Sequence, residues 1–382
     1  MVSAGLRAVL LIGVISMLGD FIYEGGRSVL PDYMRQLGMS LALVGTLLGL
    51  AELAGWLSRP LGGLLVDATG RYRGMVRIGY GGLIVVPLIG LTDSWLGVSV
   101  LAFAERIFRG MRSPPRDALL SGLRREVGLG TAFGIHELLD QVGATAGPLV
   151  ALLLTILFRE TRQVFLWLFI PYLLLLPVLA KVPEYRASER AYSVERPSRR
   201  LLLYSAAAGL NAAGLLPLPV LLFLVSEEAG AGSWLVPAAY TIAMVVDAAA
   251  ALLFGRAFDR LGPRVLLAAV ALAVAPSLLL WRSVGLLLLA ALLVGVVMGA
   301  QESVFRAMVA HIAGGRSLGA AYATYGLVLG AGYALAGLAF GLMADLNLGI
   351  PYYASYSAAM QAASLTVLLN SQRSSKGDSG AV

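Results

Sequence analysis

The sequence predicts an all-α polytopic membrane protein: twelve transmembrane helices in two six-helix bundles, with both termini in the cytoplasm. Three observations carry this. The 382 residues have a mean hydropathy of +0.81 and are 58% hydrophobic and only 13% charged, outside the range of globular or disordered chains. Apolar stretches of about 20 residues recur along nearly the whole length, each enough to cross a hydrocarbon core of roughly 30 Å as a helix. A short loop motif, G-x-x-x-D-x-x-G with basic residues around it, occurs twice. Gly63, Asp67 and Gly70 reappear as Gly255, Asp259 and Gly262, each 192 positions later.

The spans lie near 5–36, 40–68, 74–93, 95–122, 128–158, 161–181, 200–227, 233–261, 264–282, 284–312, 317–345 and 350–371. No small-residue cleavage site follows the first, so it reads as a retained span and not a signal peptide. The second and eighth each end in a copy of the loop motif. The polar stretch 182–199 separates a bundle at 1–181 from one at 200–371, and 372–382 reads as a flexible cytoplasmic tail. Trp95, Trp234 and Trp281 sit at span ends, as interfacial anchors do. Cys is absent, which excludes disulfides, thiolate metal sites and a cysteine nucleophile.

Charge placement gives the orientation. Of 29 Lys and Arg, 20 fall in one set of loops and tails, among them Arg71, Arg73, Arg112, Arg116, Arg256, Arg260 and Arg264. Four (Arg35, Arg159, Arg162 and Arg282) fall on the opposite side, and Arg27, Arg59, Arg106, Arg109 and Arg306 lie within spans. This is the positive-inside pattern. The net charge of +7 therefore reflects topology and gives no reason to expect a nucleic-acid partner.

The duplication reaches beyond the loop. Span one carries Asp20 where span seven has Asn211. Glu105-Arg106-Ile107-Phe108-Arg109 in span four matches Glu302-Ser303-Val304-Phe305-Arg306 in span ten, and Gly143 of span five corresponds to Gly332 of span eleven. A parallel repeat needs an even number of spans per half, which six and six provides.

Ionisable residues inside a bilayer cost several kcal/mol unless paired or hydrated, so each is a functional candidate. Asp20, Glu24 and Arg27 share one face of span one by their spacing of four and three. Two carboxyl groups this close in low dielectric resist ionising together, as a reversible proton site requires; a static Glu24–Arg27 salt bridge is the plainer alternative. Glu105 lies roughly 15 Å in from Trp95 along span four, with Arg106 and Arg109 continuing toward the cytoplasm. Arg106 either organises substrate or protons, or neutralises an acid such as Glu52 or Asp140. In span five His136 and Asp140 are one turn apart and within reach of a hydrogen bond, with Glu137 and Gln141 beside them. The cluster lacks the ligand spacing of a metal site. The second half offers Asp247, Glu302, Arg306 and His311 with neutral Asn211; Glu302 and Arg306 can satisfy each other. Tyr23, Tyr240, Tyr322, Tyr325 and Tyr333 are candidates to line a cavity.

These features resemble the major facilitator superfamily over essentially the whole chain. The second loop copy follows that family's signature through Asp259, Arg260 and Gly262, with Pro263 before Arg264. The first departs from it at Ala68 and Tyr72 and keeps Arg71 and Arg73. Arg106 to Gly110 resembles the family's span-four motif, with Arg109 in place of its usual Gln. The run Arg112-Ser113-Pro114-Pro115-Arg116-Asp117-Ala118 looks like a prokaryotic subgroup of largely unassigned transporters. Gly143, Gly147 and Pro148 form G-x-x-x-G-P, similar to the motif of proton-coupled exporters in the family, although close helix packing and a proline bend explain it equally.

The resemblance implies alternating access around a midplane cavity lined by spans one, four, seven and ten. It implies a cytoplasmic latch in which Asp67 and Asp259 accept backbone N–H groups at a helix start, aided by Arg71, Arg73, Arg260 and Arg264. Those arginines can instead anchor loops to lipid phosphates. The expected function is proton-coupled export, by antiport, of a small organic molecule or drug. Asp20, Glu24, Glu105, His136 and Asp140 are the proton-coupling candidates. Arg27, Glu52, Arg106, Arg109, Glu137, Asn211, Glu302 and Arg306 are the cavity candidates. Uptake or exchange of a small organic anion on Arg106 and Arg109 is the second reading, and a non-transporting membrane sensor a third. We expect no enzyme activity, cofactor or metal. The expected protein is a multi-pass monomer of the plasma membrane whose partners are substrate, protons and the lipid bilayer.

Overall fold

The computed structural model describes residues 3–182, 197–280, 283–313 and 318–378. Every regular element among them is helical. The first part of the chain contains α1 (Ala4–Gln36), α2 (Leu41–Thr69), α3 (Tyr72–Gly81), α4 (Val85–Leu88), α5 (Trp95–Gly122), α6 (Arg124–Val127), α7 (Leu129–Phe158), α8 (Thr161–Trp167) and α9 (Phe169–Leu179). The second part contains α10 (Arg199–Gly214), α11 (Leu218–Ala229), α12 (Leu235–Leu261), α13 (Val265–Leu272), α14 (Val284–Ala300), α15 (Arg306–Ala313), α16 (Leu318–Asp345) and α17 (Ile350–Asp378). Of the expected linker, 183–196 lies outside the described residues. α17 runs on to Asp378, through residues assigned to the tail by sequence.

Among the described residues, nine stretches are long and apolar enough to cross a membrane, and the chain is a multi-pass membrane protein. Two long helices fall outside that set for a chemical reason. α5 carries Glu105, Arg106, Arg109 and Arg112 within about two turns, and α17 is rich in Ser, Gln and Asn. One stretch, Leu235–Leu279, is 45 residues long. It is broken by a 3-10 turn at Gly262–Arg264, where Gly262 adopts φ +65°. Gly70, its counterpart in the first loop copy, adopts φ +64°. That left-handed backbone explains why both copies end in glycine.

Helix ends and breaks satisfy their backbone groups locally, as a membrane requires. Ser3, Ser94 and Ser198 cap α1, α5 and α10 by accepting N–H groups from Leu6, Gly97 and Leu201. Pro217 separates α10 from α11, and the Ser357 hydroxyl donates to the Gly214 carbonyl at the break, 2.6 Å away. A π-helical turn, Gln301–Phe305, joins α14 to α15. The Tyr204 hydroxyl donates to the Phe305 carbonyl (3.0 Å) and the Tyr322 hydroxyl to the Arg306 carbonyl (3.1 Å).

The chain falls into two compact units. One comprises 1–38, 54–191 and 231–241; the other comprises 39–53, 192–230 and 242–382. In the first, α7 lies backbone to backbone on α1. A Cβ at Gly143 would strike the Met17 carbonyl, and one at Gly147 the Phe21 carbonyl. In the second, a Cβ at Gly332 of α16 would strike the Gly209 carbonyl of α10. Gly143 and Gly332, matched by sequence, thus make the same kind of contact in each unit.

Candidate functional site

The first unit buries a charged cluster on α1, α3, α5 and α7. Its centre is Arg112 of α5, whose side chain is 2% exposed. The Arg112 Nη2 donates to Asp20 Oδ1 of α1 at 3.1 Å. The guanidinium lies over the Tyr80 ring at 4.1 Å and near the Tyr23 ring at 5.6 Å, so two aromatic faces replace part of its lost hydration. Arg112 Nε and Nη1 have no hydrogen-bond partner among the described residues. Glycines admit the arginine: a Cβ at Gly79 would overlap its Cβ, and one at Gly19 would press on Tyr80.

A second chain of groups runs beside it. Ser16 bonds the Tyr80 hydroxyl and, at 2.9 Å, His136 Nε2. His136 Nε2 is 3.9 Å from Asp140 Oδ1, and Arg116 Nη1 is 3.9 Å from Asp140 Oδ2. The hydrogen bond expected between His136 and Asp140 is therefore not formed; the imidazole turns to Ser16 instead. Glu137 is exposed and accepts from Gln141 at 3.3 Å.

Farther along α1, Glu24 pairs with Arg27 at 3.4 Å and accepts the Tyr240 hydroxyl. Arg109 lies over the Tyr23 ring at 4.4 Å. Arg106 pairs with its own neighbour Glu105, both buried. Of the acids expected beside Arg106, Asp140 instead lies between His136 and Arg116.

The second unit answers this ionic centre with amides. Gln301 Nε2 donates to Asn211 Oδ1 (2.7 Å), and Asn211 Nδ2 to Gln361 Oε1 (2.8 Å). The Tyr333 hydroxyl donates to Gln301 Oε1 (2.7 Å). Asn211 matches Asp20, and its partner Gln301 follows Arg112 by 189 positions. In that register Glu302 corresponds to Ser113, so the two E-x-x-F-R runs matched by sequence do not share a place in the fold. Glu302 and Arg306 stand 4.0 Å apart with side chains 43% and 46% exposed. Glu52 lies within electrostatic range of Tyr333.

At the loop motifs, Asp259, Arg260, Gly70 and Arg71 are exposed, and Gly63 and Gly255 are half-buried. The Asp67 side chain lies outside the described residues. Arg73 Nη2 donates to the Ala180 carbonyl (3.3 Å) and Arg77 Nε to the Leu179 carbonyl (3.4 Å). These two arginines hold the C-terminal end of α9, where the helix dipole favours cations.

A family profile described as Major Facilitator Superfamily matches residues 9–228. The chain belongs to the Major Facilitator Superfamily. A protein of Mycobacterium tuberculosis described as uncharacterized is 31% identical over 359 residues, covering 90% of this chain and 88% of its own. An uncharacterized MFS-type transporter of Methanocaldococcus jannaschii is 32% identical over 148 residues, 38% of this chain and 37% of its own. Among solved structures, a mutant of the nucleoside transporter NupG has a TM-score of 0.79 at 13% identity, covering 94% of this chain and 99% of that one. A bacterial homolog of the human lysosomal transporter Spinster, inward-facing and unoccupied, has a TM-score of 0.68 at 15% identity, covering 96% of this chain and 95% of that one. At such identities these likenesses speak to the fold.

As a superfamily member with this fold, the chain is a membrane transporter of the secondary type. Sequence reasoning missed Arg112 by counting it with the cytoplasmic loop charges although the expected span 95–122 contained it; the structure buries it against Asp20 and Tyr80. The signal was present. Glu105, Arg109, Arg112 and Arg116 follow one another at spacings of four, three and four, a single helical stripe. Ser16, Tyr80, Gln301 and Gln361 gave no such signal.

Proposed function

We propose that this transporter couples movement of a small organic molecule to protons by antiport, and that it exports its substrate across the plasma membrane. The observation that carries the reading is the buried Asp20–Arg112 pair beside His136, Ser16 and Asp140. A carboxylate and a guanidinium taken out of water are stable together and costly apart. Protonating Asp20 removes the charge that holds Arg112, so proton binding and a change in α1–α5 packing become one event. Glu24, Glu105, His136 and Asp140 extend the proton route.

In this reading twelve spans form two six-helix bundles on 1–181 and 200–371, joined by the linker 182–199, with both termini cytoplasmic and the protein acting as a monomer. Arg27, Glu52, Arg106, Arg109, Glu137, Asn211, Glu302 and Arg306 face the substrate path. The loop motifs with Asp67, Arg71, Arg73, Asp259 and Arg260 close the cytoplasmic side. Gly143, Gly147 and Pro148 seat α7 on α1. The G-x-x-x-G-P resemblance supports the direction of transport. The anion-carrier reading is the less supported, because Arg106 is engaged with Glu105 and Arg109 with Tyr23.

The test is a pH-resolved thermal-shift screen of purified protein against lipophilic cations, organic anions, sugars and nucleosides, since a ligand of the folded state raises its melting temperature. Stabilisation by lipophilic cations that strengthens at high pH, and that persists in Asp20→Asn without this pH dependence, supports the proposal. Stabilisation by organic anions that disappears in Arg106→Ala replaces it with the anion carrier.

A further inference from the structure

Two carboxylates in this chain hold backbone at or just ahead of helices to which they do not belong. Asp345, the last residue of α16, accepts the backbone N–H of Leu41 on Oδ1 at 3.1 Å and that of Ala42 on Oδ2 at 3.3 Å. Ser40 accepts the next N–H, from Leu43, at 3.3 Å. The first three N–H groups of α2 are thus satisfied, two of them by a residue more than 300 positions away. Asp32, buried near the end of α1, accepts the N–H of Gly232 just ahead of α12 at 3.1 Å. Ser233 then accepts from Leu235 at 3.3 Å. Gln36 Nε2 (2.8 Å) and the Thr161 hydroxyl also donate to Asp32, and Arg35 lies 3.9 Å from it.

The two sites are related. Gly38 and Gly230, both with positive φ, precede the two helix starts and are 192 positions apart, the spacing of the loop motif. α2 and α12 are therefore equivalent helices: α2 begins on the carboxylate of Asp345, and the turn leading into α12 is held by that of Asp32. The surfaces behind the caps are smooth. Cβ atoms at Gly45 and Gly337 would each strike the other's carbonyl; one at Gly49 would meet Ala334, and one at Gly341 would meet Ala42. Gly232 (φ +70°) lies against the Arg159 carbonyl at the end of α7. Backbone faces without interlocking side chains separate without extracting rotamers, so the directional hold at these ends falls to the charge-assisted caps.

We propose that Asp345 and Asp32 are detachable clasps: Asp345 holds the start of α2 and Asp32 the turn leading into α12, and each lets go of its helix when the transporter changes conformation. The inference uses alternating access from the reading above but not proton coupling, and its test needs no substrate.

The native chain has no cysteine, so single cysteines report cleanly. Val44→Cys, beside the Gly45 seam, and Ala239→Cys, in the first turns of α12, are fully buried positions, as is Ala208→Cys in α10. Each is reacted with a maleimide in lipid nanodiscs, where slow labelling of a buried thiol tracks the open population. Asp345→Ala should raise the rate at Val44→Cys about tenfold, and Asp32→Ala the rate at Ala239→Cys likewise, the scale of losing a charged cap. Ala208→Cys should stay unchanged in both. Asp345→Asn keeps one acceptor oxygen and should give a smaller rise, which serves as the test if the alanine variant does not fold. Unchanged labelling at Val44→Cys and Ala239→Cys overturns the proposal. So does a parallel rise at Ala208→Cys, which marks general loosening. Neither result bears on the Asp20–Arg112 reading.

Discussion

At the scale of single residues, the second unit shows what the first would look like without charge: Asn211–Gln301 stands where Asp20–Arg112 stands. The Asp20→Asn variant leaves Arg112 buried without its carboxylate and should lose about 3 kcal/mol or more of stability. The double variant Asp20→Asn/Arg112→Gln should recover most of that loss while remaining uncoupled from pH. A double-mutant cycle on melting in detergent measures it, and simply additive losses would show that the two side chains do not act as a pair. Much of this centre was legible in advance. Asp20, Glu24, Glu105, His136 and Asp140 stand out because charge inside an apolar span is expensive. Arg112 was hidden because it was counted with the loop charges, although the span expected at 95–122 contains it. Ser16 and Tyr80 were hidden for a deeper reason: a hydroxyl is unremarkable until the fold brings it to a partner, and Ser16 is 64 positions from Tyr80 and 120 from His136.

At the scale of elements, small residues set how closely helices approach. Gly147→Ala should be strongly destabilising, because its methyl meets the Phe21 carbonyl, which cannot move without its helix. Gly134→Ala in the same helix has nothing within 4 Å of the new methyl and should be neutral or gain up to about 1 kcal/mol. Comparing the two melting temperatures separates packing from propensity; equal effects would contradict the α1–α7 contact. Tyr204→Phe removes the donor to the Phe305 carbonyl at the π turn and should cost about 1–3 kcal/mol, read again by thermal unfolding. The α10–α11 break falls at Pro217, inside the single span expected at 200–227. The π turn at Gln301–Phe305 has neither proline nor glycine within it, and the tyrosines that brace it come from α10 and α16, so periodicity could not find it.

For the whole molecule, the duplication was the strongest sequence signal, and its best-preserved part proved to be backbone: Gly70 and Gly262 share a left-handed turn, and Gly143 and Gly332 share a close contact. Its side chains have diverged, ionic in one unit and amide in the other, which is why the E-x-x-F-R match misled and the loop match did not. The buried Asp20–Arg112 pair lies in the first unit. The most direct test is proton flux in proteoliposomes holding a pH-sensitive dye, using the ligand found by thermal shift. A ligand gradient should drive protons the opposite way, and Asp20→Asn should abolish this flux while ligand counterflow continues. Ligand exchange by the unaltered protein with no proton movement at any pH would contradict proton coupling.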